Sequence, residues 1–250
     1  MPKFAKYLLV RNNNMPSEET KQIEELKIDL LTLTSHQLKT PMGIIRGYAT
    51  LLREGFYGPL SPEVKEILSK IEFGTEEVIM LVDNIIELRK VEDGRVVYQK
   101  ESIDFMAIAR QASEEMGHMA MSCGLNLDFS GPDHEVMVLG DAQKLRHIIQ
   151  NLIDNAVKYT KKGSISVTVN EKGKQVILSV ADTGIGIASE VIPKLFQKFF
   201  RDEHLVKEIK GTGMGLYIAR LFIEEHGGKI WVESDGEDKG STFYISLPRE

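Results

Sequence analysis

Cysteine is nearly absent from this sequence: Cys123 is the single one in 250 residues. No disulfide can close within the chain, the usage fits a reducing cytosol, and Cys123 itself reads as core filler rather than as a nucleophile. Long apolar runs are missing too. A spanning helix needs about 18 consecutive apolar residues, and the longest run near the start, Tyr7 to Val10, is too short even for a signal-peptide core. The chain as given is therefore expected to be soluble and cytoplasmic. Basic residues are in deficit, with 31 Lys and Arg against 37 Asp and Glu and a net charge of -6. Nucleic acid and anionic membranes both call for a basic face, so neither is an expected partner.

What is present suffices for two domains, with 42% hydrophobic and 27% charged residues. Residues 1–16 close with Asn12-Asn13-Asn14-Met15-Pro16, a turn-forming cluster that makes them a short tail. From Ser17, Ile23, Leu26, Leu30 and Leu33 fall three and four apart, the spacing of a coiled-coil seam. The same face continues beyond Pro41 through Ile44 or Ile45, Tyr48 and Leu51 or Leu52, until Gly55-Phe56-Tyr57-Gly58-Pro59 stops the helix. Ser61-Pro62-Glu63 offers an N-cap followed by proline at the first helical position. The helix it opens carries Val64, Ile67, Leu68, Ile71, Thr75, Val78, Leu81, Val82 and Ile85 and ends near Asp93-Gly94. Two such helices joined by a short loop cannot bury their apolar faces alone. The economical solution is a four-helix bundle of two hairpins, so a homodimer through residues 17–94 is expected. Packing of the hairpin against the rest of its own chain is the alternative.

Residues 95–250 read as a second domain. Strand-like Val96 to Ile103 precedes a helix from about Phe105 to Met121, then strand-like Leu125 to Phe129 and Val136 to Leu139. A helix from Ala142 to Tyr159 follows, with alternating strands at Ser164 to Val169 and Gln175 to Val180. A helix from Met214 to His226 and strands at Lys229 to Ser234 and Thr242 to Leu247 complete it. Hairpin pairing of the last strands predicts a mixed or largely antiparallel sheet, covered by helices on one face.

Four segments carry chemistry. In Ser35-His36-Gln37-Leu38-Lys39-Thr40-Pro41, His36 sits beside the seam at its solvent edge, and Pro41 removes the partner of the Gln37 carbonyl, so the helix can bend there. A neutral imidazole is a good nucleophile near pH 7 and forms a labile N–P bond; the bland reading is a solvated histidine, which is assigned to His118, His134, His147, His204 and His226. In Asn151-Leu152-Ile153-Asp154-Asn155-Ala156-Val157-Lys158-Tyr159, helical spacing puts Asn151, Asn155 and Lys158 on one face, suited to Mg2+ with attached phosphates. A polar solvent face is the competing reading. Asp182-Thr183-Gly184-Ile185-Gly186-Ile187 follows a strand, with glycines admitting a planar ligand and a carboxylate for an exocyclic amine. Gly211-Thr212-Gly213-Met214-Gly215-Leu216 opens a helix whose free N–H groups suit phosphate. Between the last two, Leu195 to Arg201, including Phe199, and a charged run to Lys210 read as a flap with aromatic anchors. Two ordinary turns are the bland reading of the glycines.

In this order the segments resemble the H, N, G1, F and G2 boxes of sensor histidine kinases with a HisKA-type hairpin and a GHKL-type ATP-binding domain. The resemblance covers about residues 20–250. It implies a dimeric helical hairpin followed by a two-layer α/β sandwich of the Bergerat type, with ATP and Mg2+ as cofactors. By resemblance His36 is the phospho-acceptor, Asn151, Asn155 and Lys158 serve Mg2+ and phosphates, with both asparagines as metal ligands, and Tyr159 lines the nucleotide. Asp182 recognises adenine. Gly184, Gly186, Gly211, Gly213 and Gly215 shape the site, with Ile187, Phe199, Arg201, Thr212, Met214 and Leu216 beside them. The implied partner is a response-regulator receiver domain.

One departure stands out: relatives usually place an acidic residue directly after the phospho-acceptor, and here it is Gln37. An amide cannot accept a proton, so a missing base would slow phosphorylation, while Gln37 can still orient the imidazole by hydrogen bonding and activity is expected. Thr40 matches the position that positions water for dephosphorylation in relatives. Two other readings stay open, an ATPase of the gyrase, chaperone or mismatch-repair type and a non-catalytic interaction module. The His36 helix argues against the first and the retained nucleotide motifs against the second.

Overall fold

The computed structural model describes residues 37–92, 98–202 and 211–250, and divides between Lys90 and Val91 into two compact units. His36, the seam residues before it and the stretch 203–210 lie outside the described residues.

The first unit is a helical hairpin. Helix α1 occupies residues 37–53 and runs on through Pro41; α2 spans Pro62–Glu92. As expected, α2 starts at the proline, and the Ser61 hydroxyl accepts the Val64 N–H at 3.4 Å. The helices run antiparallel, because Lys39 pairs with Asp83, Arg46 with Glu76 and Arg53 with Glu72. Within this hairpin only Ala49, Leu68, Thr75 and Leu88 are buried among the described residues. Ile44, Ile45, Tyr48, Ile67, Ile71, Val78 and Ile85 remain exposed. One hairpin thus leaves its apolar stripe largely uncovered, as the lengths and spacing of the helices require.

The second unit is a layer of helices on one face of a sheet. Its elements are β1 (Glu101–Asp104), α3 (Phe105–Ser122), β2 (Asn126–Ser130), β3 (Met137–Gly140), α4 (Ala142–Tyr159), β4 (Ser164–Lys172) and β5 (Gln175–Asp182). A 3-10 turn at Ile192–Lys194 precedes α5 (Gly215–Glu225), β6 (Lys229–Glu233) and β7 (Ser241–Pro248). The five-stranded sheet has the order β2-β4-β5-β7-β6, with β1 and β3 pairing separately. Within the five, β2–β4 is parallel and the other pairs are antiparallel. Alternation sets the faces: Ile165, Val167 and Val169 of β4 and Val176, Leu178 and Val180 of β5 are buried, while Ser166 and Asn170 are exposed and Thr168 is half-buried. Against that face α4 buries Leu145, Ile148, Ile149, Leu152, Ile153, Ala156 and Val157, a stripe of three- and four-residue steps. At about 1.5–3 kcal/mol per large apolar side chain, this stripe is the main force holding α4 in place.

Three expectations are corrected. The strand expected from Val96 is shorter, because residues 98–100 are engaged otherwise: the Gln99 N–H donates to Asp141 and the Lys100 ammonium to the Glu225 carbonyl. Cys123 is exposed rather than in the core; it caps α3, its N–H turned back to Ala120 and Met119. His226, read as a solvated histidine, is buried at the end of α5, because both of its ring nitrogens have partners inside the protein. His118, His134 and His147 are exposed as expected. Among the described residues no helix is long and apolar enough to cross a membrane.

Candidate functional site

Helix α4 is the floor of the site. Asp141 caps it by accepting the N–H groups of Gln143 and Lys144, and the buried stripe leaves Asn151, Asp154, Asn155, Lys158 and Tyr159 half-buried along the other side. The Lys158 ammonium lies 2.5 Å from Asp154, one helical turn away. The Asn151 Nδ2 is buried with no hydrogen-bond partner among the described residues, as is the Thr160 hydroxyl just past the helix end. A buried amide left unpaired costs about 1–3 kcal/mol, and a polar ligand would relieve that cost.

The segment after β5 lies against the end of α4. Asp182 is buried; its Oδ1 accepts the Gly184 N–H at 2.8 Å, and its Oδ2 accepts the Ser241 hydroxyl hydrogen at 2.5 Å. A Cβ on Gly184 would collide with the Tyr159 carbonyl, which itself accepts the Ile185 N–H at 3.1 Å. Gly186 has φ +69 and lies against the Gly236 carbonyl. The Ile187 N–H donates to the Ser234 hydroxyl at 3.0 Å. Both glycines are therefore demanded by close backbone approach, and one also by left-handed geometry.

The glycine segment before α5 meets α4 from the other side. A Cβ on Gly215 would stand 2.6 Å from Asn151 Oδ1 and 3.0 Å from its Nδ2. Gly213, at φ +69, lies against Phe199, the Phe200 carbonyl and the Arg201 side chain. Met214 is fully buried, and its N–H donates to the Thr212 hydroxyl at 3.3 Å. Gly211, Thr212 and Leu216 are half-buried. Phe199 is exposed at φ 59, whereas Lys198 lies over the Tyr217 ring at 5.3 Å and so ties this segment to α5.

Tyr159 joins the parts. Burial chiefly raises its phenol above the ordinary range; the Arg201 charge opposes this, and Asp202 and Asp154 add to it. In the hairpin, Gln37 and Thr40 are exposed on α1.

Asn151, Asn155, Tyr159, Asp182, Gly184, Gly213 and Gly215 thus surround one end of α4. The unpaired Asn151 amide, the bare backbone at Gly213 and Gly215, and the free N–H groups at the start of α5 fit a phosphate chain. Neutral amide oxygens fit a Mg2+ that keeps its waters and shares phosphate oxygens. No group of three or more His, Cys, Asp or Glu side chains suited to a metal occurs among the described residues. The hairpin turn between β6 and β7 is expected from Asp235-Gly236 and Lys239-Gly240, but its place beside the site, and that of Ser241, is not. Asp182 and Ser241 are cross-strand partners in the β5–β7 ladder, and that register appears only in the folded sheet.

Comparison with known proteins agrees with this arrangement. Residues 26–94 match the His Kinase A (phospho-acceptor) domain, and residues 140–250 the histidine kinase-, DNA gyrase B- and HSP90-like ATPase. The sensor protein SrrB of Staphylococcus aureus is 32% identical over 229 residues, covering 91% of this chain and 39% of that protein. The chain therefore spans about two fifths of the length of the curated relatives it matches. Full-length ShkA, solved in complex with AMPPNP, superposes with a TM-score of 0.69 at 25% identity, over 88% of this chain and 46% of that one. The histidine kinase AdeS of Acinetobacter baumannii gives 0.60 at 25% identity, over 85% and 97%. The chain belongs to the sensor histidine kinases, as a catalytic core in which a phospho-acceptor domain precedes a histidine kinase-type ATPase domain.

Proposed function

We propose that this chain is an ATP-dependent protein-histidine kinase of a two-component system, working in the cytoplasm as a homodimer. In this reading residues 1–16 are a tail, 17–94 the dimerisation and phosphotransfer hairpin, and 95–250 the ATP-binding domain. The observation that carries it is the meeting of Asn151 with Gly215, where a buried amide without a partner faces the start of a helix. The uncovered apolar stripe of the hairpin supports the dimer.

Each residue has a role that its setting allows. Asp182, fixed by Ser241 and Gly184, accepts from an exocyclic amine of the base. Asn151 and Asn155 offer amide oxygens to Mg2+. Lys158, while paired with Asp154, keeps further donors for a phosphate oxygen. Tyr159 lines the nucleotide, and the N–H groups from Gly215 onward receive phosphate oxygens. Mg2+-bound ATP supplies the γ-phosphoryl group and the charge neutralisation that its transfer needs.

The lone pair of a His36 ring nitrogen forms the N–P bond as the bond from phosphorus to the bridging oxygen breaks, and the ring proton passes to water. The phosphoryl group then moves to a receiver-domain aspartate of a response regulator, and Thr40 positions water for the opposing activity, in which water attacks the aspartyl phosphate and inorganic phosphate leaves. Incubation of the chain with γ-labelled ATP and Mg2+, beside H36A, tests the proposal. The expected label is acid-labile, alkali-stable and lost in the variant; a wild-type chain that binds no nucleotide overturns it.

A further inference from the structure

The far ends of the two helices that frame the nucleotide site are joined by one histidine. His226 is buried at the C-terminal cap of α5, where Gly227 at φ +70 turns the chain away. Its Nε2 accepts the N–H of Asp141, the capping residue of α4, at 3.0 Å, and its Nδ1 lies 2.6 Å from the Phe222 carbonyl. An N–H donor at Nε2 leaves that nitrogen unprotonated, so the hydrogen is on Nδ1 and is donated to Phe222: the ring is neutral and of one tautomer. The surroundings hold it there. A Cβ on Gly140 would come within 3.1 Å of the ring, and Tyr98 stands edge-on at 5.7 Å. Asp141 is itself fixed, its carboxylate accepting the N–H groups of Gln99, Gln143 and Lys144.

One α5 length away, Gly215, at the start of α5, meets Asn151, midway along α4. From Asp141 to Asn151 is about 15 Å along α4, and from Gly215 to His226 about 16 Å along α5, at 1.5 Å per helical residue. The first half of α4 and the whole of α5 are therefore antiparallel struts of nearly equal length that touch at both ends. One contact is the phosphate-facing approach of Gly215 to Asn151; the other is the Asp141–His226 hydrogen bond.

We infer that His226 is a positioning residue for the nucleotide site: its unprotonated Nε2 holds the start of α4 against the end of α5 and so sets the approach of Gly215, at the start of α5, to Asn151, midway along α4. The ring makes no contact with the candidate ligand-binding groups and acts through the helices. This rests on the nucleotide-binding reading of that end. A proton on Nε2 would turn two donors toward each other and release the joint. The charged and titratable groups facing the ring are Lys100 from the segment before β1, Asp141 from the α4 cap and Glu225 from α5, with Tyr98 beside it. Lys144 lies over the neighbouring Phe222 ring.

Two substitutions separate the two ring nitrogens. Glutamine places an acceptor near the position of Nε2, whereas asparagine reproduces only the local bond to Phe222. Fluorescent-nucleotide titrations on the full chain at pH 8 should show about tenfold weaker binding for H226N, as expected for a buried N–H left unpaired, and recovery toward wild type for H226Q. Acidification through the range in which folded His226 takes up its proton, below the ordinary histidine range, should weaken binding more in wild type than in H226Q. Amide exchange should quicken around Asn151 and Gly215 in H226N and stay near wild type in H226Q. Equal effects of the two substitutions, or none from either, overturn the inference. If wild type binds no nucleotide, the site reading fails, and the amide exchange alone decides on the joint.

Discussion

Ser241 donates its hydroxyl hydrogen to Asp182 Oδ2 at 2.5 Å across the β5–β7 ladder, while the second carboxylate oxygen accepts the Gly184 N–H. An acceptor pinned from two sides cannot rotate away from a ligand. D182N should therefore weaken nucleotide binding by about ten- to a hundredfold, the loss of roughly 1–3 kcal/mol for a charged hydrogen bond. S241A should cost less, about 0.5–1.5 kcal/mol, because Gly184 still holds the carboxylate. Calorimetric titration with ATP compares the two, and a larger loss in S241A would reverse the assigned roles.

Gly215 stands at the first position of α5, where alanine is ordinarily the better helix former. Its added methyl would lie 2.6 Å from Asn151 Oδ1. G215A should leave the melting temperature within a few degrees while lowering ATP affinity by about tenfold or more, corresponding to at least about 1.4 kcal/mol. Unchanged affinity would mean that this approach does not shape the phosphate site.

Gln37 stands exposed on α1 and cannot take a proton from the neighbouring imidazole. General base catalysis contributes about a hundred- to ten-thousandfold, so Q37E should raise the autophosphorylation rate by a measurable part of that range. Rates identical in single-turnover labelling would mean that no base is missing.

Thr40 is likewise exposed. T40A should slow dephosphorylation of the phosphorylated receiver partner and leave labelling of His36 intact, followed by the decay of labelled partner in the presence of each variant. Undiminished decay would remove Thr40 from that step.

His226 predicts a pH dependence of stability. Burial chiefly lowers its tendency to take a proton in the folded chain, with Lys100 adding to this and the Phe222 carbonyl, Asp141 and Glu225 opposing it. The unfolded chain, with an ordinary value of about 6.5, therefore binds the proton first as pH falls. The contribution is complete above about pH 6.5, declines below it at no more than about 1.4 kcal/mol per pH unit, and stops declining once folded His226 is also protonated. Trp231, the single tryptophan, lies in β6 and reports unfolding of this unit. Urea midpoints measured between pH 8 and 5 should fall more steeply for wild type than for H226Q.

The elements that could be read from the sequence are those whose side chains alternate or recur strongly. Leu145 through Val157 announces α4, and the alternation in Ser164 to Val169 announces β4. The Ser61-Pro62 start of α2 follows from local capping chemistry alone. The pairing of Lys158 with Asp154 was implicit in a four-residue spacing, yet charge alone does not say whether a lysine turns to its own helix or to a ligand. His226 and Ser241 were illegible for a different reason. Each works through a partner that the fold supplies from another segment, Asp141 85 residues away and Asp182 59 residues away. The strand expected from Val96 failed similarly, since alternation cannot reveal that the Gln99 N–H would be taken by Asp141.

The loop after β5 is fastened to the β6–β7 turn: Gly240 N–H to the Gly184 carbonyl, Asp238 N–H to the Ile185 carbonyl, and Gly186 against Gly236. Every recognition motif through Leu216 is translated before any of these anchors exists. During synthesis, then, a nascent chain would already carry the whole set of motifs and still lack the anchors of this loop until the β6–β7 hairpin had formed. Ordering of the loop after β5 is thereby tied to formation of the β6–β7 hairpin, which follows it in the chain.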